Sequence, residues 1–187
     1  MGMTSLAEVA APLKVDFGCG PNKREGFVGV DSIAFDGVDH VCKIGTEPLP
    51  FADGTVDEAH ASHFIEHLTA PQRIQFVNEL YRVLALGGQA TIITPHWCSG
   101  RAYGDLTHQW PPVAEFWFFY LKQEWRDGNA PHCDIKHNPD GYSCDFDATW
   151  GYSLHQSLMA RNQEFQSFAM TFYKEAAQDL HATLTKR

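Results

Sequence analysis

The stretch that most limits how this chain can fold lies near its N-terminus. Leu13 to Phe17 (LKVDF) runs straight into Gly18-Cys19-Gly20-Pro21-Asn22, and a second short apolar run, Phe27 to Asp31 (FVGVD), ends on an acid. A strand stopped by glycines, with another strand close behind, belongs to an α/β sheet if the alternation continues. It does. His40 to Ile44 reads as a weak third strand, and Asp57 to Ser62 (DEAHAS) as a fourth by its place in the alternation. From Pro71, apolar residues at Ile74, Phe76, Val77, Leu80, Val83 and Leu84 keep helical spacing until Gly87-Gly88. Gln89 to Thr94 (QATIIT) is then a strand stopped by Pro95.

The second half changes character. Trp97, Trp110, Trp117 and Trp125 surround the run FWFFYL at 116–121, which reads as core before it reads as a lid over a pocket. Asn138-Pro139-Asp140-Gly141 predicts a turn between two strands, Cys133 to His137 and Tyr142 to Gly151. Leu158, Phe165, Phe168, Phe172, Ala176 and Leu180 predict one long amphipathic helix over 157–185. There is no internal repeat, low-complexity tract or long linker, so residues 1–187 are expected to form one domain. Its cofactor-binding half would be about 13–95, and its acceptor and lid half about 96–187.

Composition narrows the function classes. The chain has 14 basic and 23 acidic residues, a net charge of −9, with the basic residues scattered, which argues against a nucleic-acid footprint. No run approaches the ~18 apolar residues of a spanning helix, so no membrane insertion is expected. The stretch MGMTSLAEVAAPLK has no basic leader pattern, and Leu6 stands where a myristoylation signal needs Ser or Thr. Five cysteines are too few for a disulfide scaffold, which fits a cytoplasmic setting.

The glycine loop can bring its backbone close to a ligand because no Cβ intervenes. A dinucleotide fingerprint fails, since Lys23 replaces the third glycine and Asp31 follows Gly20 by 11 residues where ~20 is usual. No phosphate-binding G-x-x-x-x-G-K-[ST] occurs. Asp31, at a strand end, is placed to accept hydrogen bonds from a ribose diol.

The string VDFGCGPNKREGFVGVD resembles the first motif and second-strand acid of class I S-adenosylmethionine-dependent methyltransferases. LPFADGTVDEAHASHFIEHL (49–68) is similar to that family's segment through the fourth strand, and ELYRVLALGGQATIITP (79–95) to its next helix, turn and strand. Gly104-Asp105-Leu106-Thr107-His108 resembles an Asp-Pro-Thr-His element of its small members. The resemblance covers about residues 13–110. It implies a Rossmann-like α/β fold with a mostly parallel sheet and S-adenosyl-L-methionine as cofactor; the lack of a basic face and of an amino-group DNA-methylase motif favours a small-molecule or glycan-like acceptor.

It also implies residue roles. Gly18, Cys19 and Gly20 would line the methionine part of the cofactor, and Asp16 would hold the loop and approach the amino-acid end. Asp31 would take the ribose hydroxyls. Ser62, His63 and Phe64 would face cofactor and acceptor, and Leu49-Pro50-Phe51 would help wall the adenine. The chain departs from the family pattern in three places. Residues 21–26 are too few for a helical crossover, so the first helix is one turn or missing. Lys43-Ile44-Gly45 stands where an acid often meets the adenine, and Ala85-Leu86 replaces the Lys-Pro of the later turn.

Several clusters carry chemistry. His63, His108 and Asp105 are the candidate catalytic residues: His108 as a base oriented by Asp105 three residues before it, His63 as a second base at a strand end. His63-Phe64-Ile65-Glu66-His67 spells the H-x-x-E-H of inverted zincins, but no third ligand is signalled and no metal is expected. His96-Trp97-Cys98 can be ordinary packing at a strand end. His132, Cys133, Asp134, His137 and Cys144 form the richest ligand cluster, though without a familiar zinc spacing. No Asn/Asp-Pro-Pro-Tyr/Phe motif of amino-group DNA methylases occurs. Two other classes stay open: a non-catalytic relative of the fold acting through a partner, and a zinc hydrolase using His63, Glu66 and His67. The sequence names neither the acceptor nor the oligomeric state.

Overall fold

The computed structural model describes residues 11–187; the segment 1–10, on which the leader and acylation readings rest, lies outside it. Seven strands form one sheet: β1 (Lys14–Phe17), β2 (Val28–Asp31), β3 (His40–Val41), β4 (Val56–Ser62), β5 (Leu84–Pro95), β6 (Phe146–Leu154) and β7 (Ala177–Lys186). Their order is β3-β2-β1-β4-β5-β7-β6. β1 to β5 pair in parallel, whereas β7 runs antiparallel to both β5 and β6. The Rossmann-like α/β class is therefore the one expected. As in other parallel arrays the inner strands are sealed, with Val15, Phe17, Val30, Ala59 and Ile92 all buried.

The order reverses between β1 and β4, which are parallel neighbours with Asp16 opposite His60. Such a reversal splays the two following loops to opposite faces and opens a crevice at the strands' carboxyl ends. The loop after β1 is Gly18–Asn22, and the one after β4 begins at His63. Among the described residues there is no helix between β1 and β2, as the short connection requires.

Helix α1 (Ala70–Val83) starts where predicted. Gln72 reaches back to accept from Thr69 N at 2.9 Å, and Pro71 sits in the first turn, where a missing N–H costs nothing. Its buried face, Phe76, Val77, Leu80 and Val83, packs into the main core. Short helices α2 (Arg101–Gly104), α3 (Phe116–Phe119) and α4 (Gln123–Asn129) follow β5. The aromatic run divides by face. Phe118 and Leu121 are buried, Phe118 stacking on Trp150 of β6 at 5.8 Å, while Phe116 is exposed.

Two predicted features are corrected. The helix over 157–185 is instead α5 (Gln156–Met159), α6 (Gln163–Phe172) and the strand β7. Glu175 takes a left-handed φ of 62°, which no helix continues through. Beyond it the buried residues Leu180, Ala182 and Leu184 alternate at period two, the signature of a strand. The hairpin across 138–141 does not form either. The Asn138–Gly141 turn is present, with Gly141 N donating to Asn138 O at 2.8 Å, but 133–137 and 142 meet only at the single bridge Asp134–Tyr142. The strand begins at Phe146 and takes β7 as its partner, from Phe146 opposite Lys186 to Leu154 opposite Ala177.

Candidate active site

At the end of β1, Asp16 is buried and ties down the chain that follows the loop. Its Oδ2 accepts from Arg24 N at 2.9 Å, and its Oδ1 lies 2.7 Å from His60 Nδ1 on the neighbouring strand. His60 escapes sequence reading; its only signal is the alternation of β4, which turns it to the same face as Asp16. Gly18 has φ +65°, and a Cβ at that position would collide with the Phe64 ring, so only glycine lets the turns after β1 and β4 close on each other. Gly18 N and Cys19 N both donate to Val30 O, and Gly20 N donates to Asp31 Oδ2 at 2.8 Å. Those N–H groups thus brace the loop against β2. What they leave for a ligand is the bare face of Gly20, where nothing lies within 4 Å of the place a Cβ would take. Burial raises the Cys19 thiol to about 11, so it is no nucleophile.

Asp31 ends β2. Its Oδ1 accepts from Ile33 N at 3.0 Å and its Oδ2 from Gly20 N. Each oxygen keeps a second lone pair, the arrangement a vicinal diol needs. Of the expected adenine wall, Leu49 is buried in the core, Pro50 is exposed, and Phe51 packs edge-on to Phe17 and His40. Lys43 is exposed, and its N–H donates to Glu47 at 3.0 Å, which closes the turn after β3.

Beyond β4 the chain bends sharply. His63 is exposed with φ +50°, an unusual conformation for a residue with a side chain and one that gathers at functional sites. Ile65–His67 form one 3-10 turn. His63 lies outside that turn, so His63 and His67 do not share a helix face and the inverted-zincin arrangement is absent. Buried Arg73 of α1 ties this turn to a distant segment: its guanidinium donates to Ile65 O, Glu66 O, Gln109 O at 3.1 Å and Pro111 O. Gln109 N also donates to Glu66 O at 2.8 Å. Burial pulls the Arg73 pKa down, while Glu66 nearby opposes that shift.

Those ties bring the 63–67 and 105–108 segments together around a cavity of about 400 Å³ at the ends of β4 and β5, lined by His63, Glu66, His67, Asp105 and His108. The rings of His67 and His108 stand edge to face at 4.8 Å. The expected Asp105–His108 hydrogen bond is not made; the carboxylate is 3.8 Å from His108 Nε2. Asp105 instead accepts from Thr107 N at 2.8 Å and Thr107 Oγ1 at 2.7 Å, bonds that hold its pKa below the usual carboxylate range. The Thr107 hydroxyl proton is therefore committed to Asp105, so at 3.0 Å Thr107 Oγ1 accepts from His67 Nδ1. His108 Nδ1 faces Ala102 O at 3.3 Å, which can only accept. In both imidazoles Nδ1 is thus the donor to a neighbouring oxygen, and Nε2 makes no hydrogen bond.

The other clusters do not assemble. His96 is buried, between Glu115 Oε1 at 2.8 Å and Cys98 Sγ at 2.9 Å. Asp134 pairs with buried Arg126 at 2.9 Å, and Cys144 is buried, its thiol pushed up to about 12. Of the 132–144 set, Asp134 and Cys144 are thus part of the buried structure, while His132 and His137 are exposed. Among the described residues one group of three potential ligands converges: Glu66, His67 and His108.

Residues 28–92 match the family model for a methyltransferase domain. No curated protein matches the sequence. A methyltransferase described as S-adenosylmethionine-dependent, from Archaeoglobus fulgidus, is 17% identical with a TM-score of 0.63 over 94% of this chain and 86% of that one. The YcgJ protein of Bacillus subtilis is 13% identical, TM-score 0.52, over 97% and 94%. Geranyl diphosphate C-methyltransferase of Streptomyces coelicolor, solved with Mg2+, geranyl diphosphate and S-adenosyl-L-homocysteine, is 16% identical, TM-score 0.51, over 95% and 74%. The chain thus has the fold of the class I S-adenosylmethionine-dependent methyltransferases. The stretch that the family model matches runs from β2 into β5.

Proposed function

We propose that this chain is an S-adenosylmethionine-dependent methyltransferase whose acceptor is a small polar molecule held in the cavity beside His67 and His108. The observation that carries this reading is the reversal of strand order between β1 and β4. The braced glycine loop and Asp31 follow β1 and β2 on one side of that reversal, and the imidazole-lined cavity lies at the ends of β4 and β5 on the other. Asp31 would hold the ribose diol, Gly20 would let the cofactor approach, and Ser62, His63 and Phe64 would wall its sulfur end. When bound, the cofactor supplies a methyl group on a sulfonium, which departs by in-line displacement.

The protein's task is then alignment and, where the acceptor is protonated, removal of a proton. His108, half-buried with Nε2 free, is the favoured base. His67 is the second, its ring set by the Asp105–Thr107 pair, so Asp105 is a positioning residue. His63 lines the entrance. Six of the residues lining the cavity, His63, Glu66, His67, Arg101, Asp105 and His108, carry ionisable groups, which favours a polar acceptor.

Calorimetric titration with S-adenosylmethionine and S-adenosylhomocysteine, on wild type and Asp31→Ala, tests the cofactor half. Micromolar binding, weakened at least tenfold in Asp31→Ala, is expected. A folded wild type that binds neither ligand would overturn the reading and favour a non-catalytic relative acting through a partner.

A further inference from the structure

We infer that Glu66, His67 and His108 form a site for one divalent first-row transition ion of the zinc class, with an open coordination position facing the cavity. Sequence spacing hides this triad, because its third ligand comes from the 105–108 segment and because His63, four residues before His67, is not part of it. Ligand atoms of the three residues lie within 4.8 Å of one another. Around a tetrahedral ion with bonds of about 2.0–2.2 Å, ligand atoms stand roughly 3.4 Å apart. His67 and its hydrogen-bond partner Thr107 are both exposed and can close that difference by shifting together.

Three further observations point to a cation. First, Glu66 is only 4% exposed, and its Oε1 has no hydrogen-bond partner. The nearest basic atom is His63 Nδ1 at 3.4 Å, out of hydrogen-bonding alignment, while Oε2 accepts from Thr94 at 3.2 Å. A buried carboxylate oxygen left without a partner is costly, and a bound cation removes that cost. Second, both imidazoles spend Nδ1 on a neighbouring oxygen and make no hydrogen bond through Nε2, which leaves Nε2 as the nitrogen for ligation. Outer-sphere acceptors of this kind, here Ala102 O and the Thr107–Asp105 pair, orient metal-bound histidines in general. Third, Asp105 adds a second carboxylate to the cavity wall without being a ligand, while Arg101, the one basic chain that shares this wall with the histidines, is paired with Asp179 at 3.0 Å.

Two imidazoles and one carboxylate suit zinc, cobalt or iron(II) in preference to magnesium or calcium, which take oxygen ligands. The three residues leave a position for water or for an acceptor oxygen or nitrogen. The ion site stands on ligand geometry and not on the function proposed above; an ion on the Nε2 atoms of His67 and His108 would occupy the lone pairs that the base role needs, so that role belongs to the ion-free protein.

The test uses the metal by itself on the chelator-treated protein. Zn2+ is followed by calorimetry and Co2+ by its visible absorption, with circular dichroism confirming that each variant is folded. Wild type is expected to bind one equivalent at micromolar affinity or tighter. His67→Ala and His108→Ala should each lose at least about tenfold, the loss that even outer-shell partners of a metal command. Thr107→Ala should weaken binding while Thr107→Ser keeps it, and the double variant His132→Ala, His137→Ala should match wild type. If His108→Ala fails to fold, the exposed His67 carries the test. Absence of stoichiometric binding in wild type, or wild-type affinity in a folded His67→Ala or His108→Ala, overturns the proposal. Loss of either signal shows nothing about S-adenosylmethionine binding, which is read separately in Asp31→Ala.

Discussion

At Gly18 two constraints act on one residue. The left-handed φ disfavours any side chain, and the Phe64 ring occupies the place a Cβ would take. Gly18→Ala should therefore destabilise the protein by about 1–3 kcal/mol in urea unfolding, the range for backbone strain or an overpacked contact. In a Phe64→Ala background the same substitution should cost less, because the clash is gone while the φ strain remains; equal cost in both backgrounds would mean that Phe64 does not press on the loop. A second residue-scale device is Glu115. Burial works against its charge, yet the hydrogen bond from His96 brings its pKa down to about 2 from the ordinary 4.5. A carboxylate depressed in the folded state adds stability that is complete above its unfolded pKa and lost as pH falls toward the folded one. Thermal melts between pH 4.5 and 2 should accordingly fall less steeply for Glu115→Gln than for wild type. Parallel curves would show the His96–Glu115 pair to be energetically silent.

At the scale of elements, the candidate site is held by one buried arginine. Arg73 reaches from α1 to four carbonyls of the 65–66 and 109–111 segments, so its removal takes the guanidinium donor from Gln109 O and Pro111 O and loosens the tie to the turn after β4. Arg73→Leu should lower stability by about 2–4 kcal/mol, as expected when buried polar groups lose their partner. It should also release the imidazole pair, visible as changed His67 and His108 ring signals in NMR; unchanged signals would mean that the two segments hold each other without it. This framework is not legible in the sequence. Arg73 falls on a helix that its spacing predicts correctly, but nothing local tells a buried arginine from a solvated one. The legible elements are those with strong local signals: glycine stops after β1, the acid at the end of β2, and the period of α1. The strand β7 is hidden because Leu158, Phe165, Phe168 and Phe172 set up a helical rhythm that Ala176 and Leu180 happen to extend. The period-two run of Leu180, Ala182 and Leu184 inside it wins because the sheet offers it two antiparallel partners, β5 and β6. Likewise the 138–141 turn is legible but its strand partner is not, since the pairing is made across α5 and α6.

Across the whole molecule, strand order decides where ligands can bind. A reversal such as that between β1 and β4 is where sheets of this class place their ligands, and the candidate residues at 16–20, 31 and 62–67 lie at the carboxyl ends of β1, β2 and β4, where the connecting loops emerge. That part of the site is legible from the resemblance of VDFGCGPNKREGFVGVD and the segments after it. The cavity is legible only in halves. His108 and Asp105 stand out in the sequence, but Asp105 acts on His67 through Thr107, a contact spanning 40 residues of chain. Among the described residues no helix is long and apolar enough to cross a membrane. The most direct measurement is a crystal structure with S-adenosylhomocysteine bound. The expected result is a ribose on Asp31, the ligand passing the bare face of Gly20, and the sulfur at Ser62–Phe64 directed toward His67 and His108. A ligand seated elsewhere, or a sulfur turned away from that cavity, would contradict the assignment of both cofactor and acceptor sites.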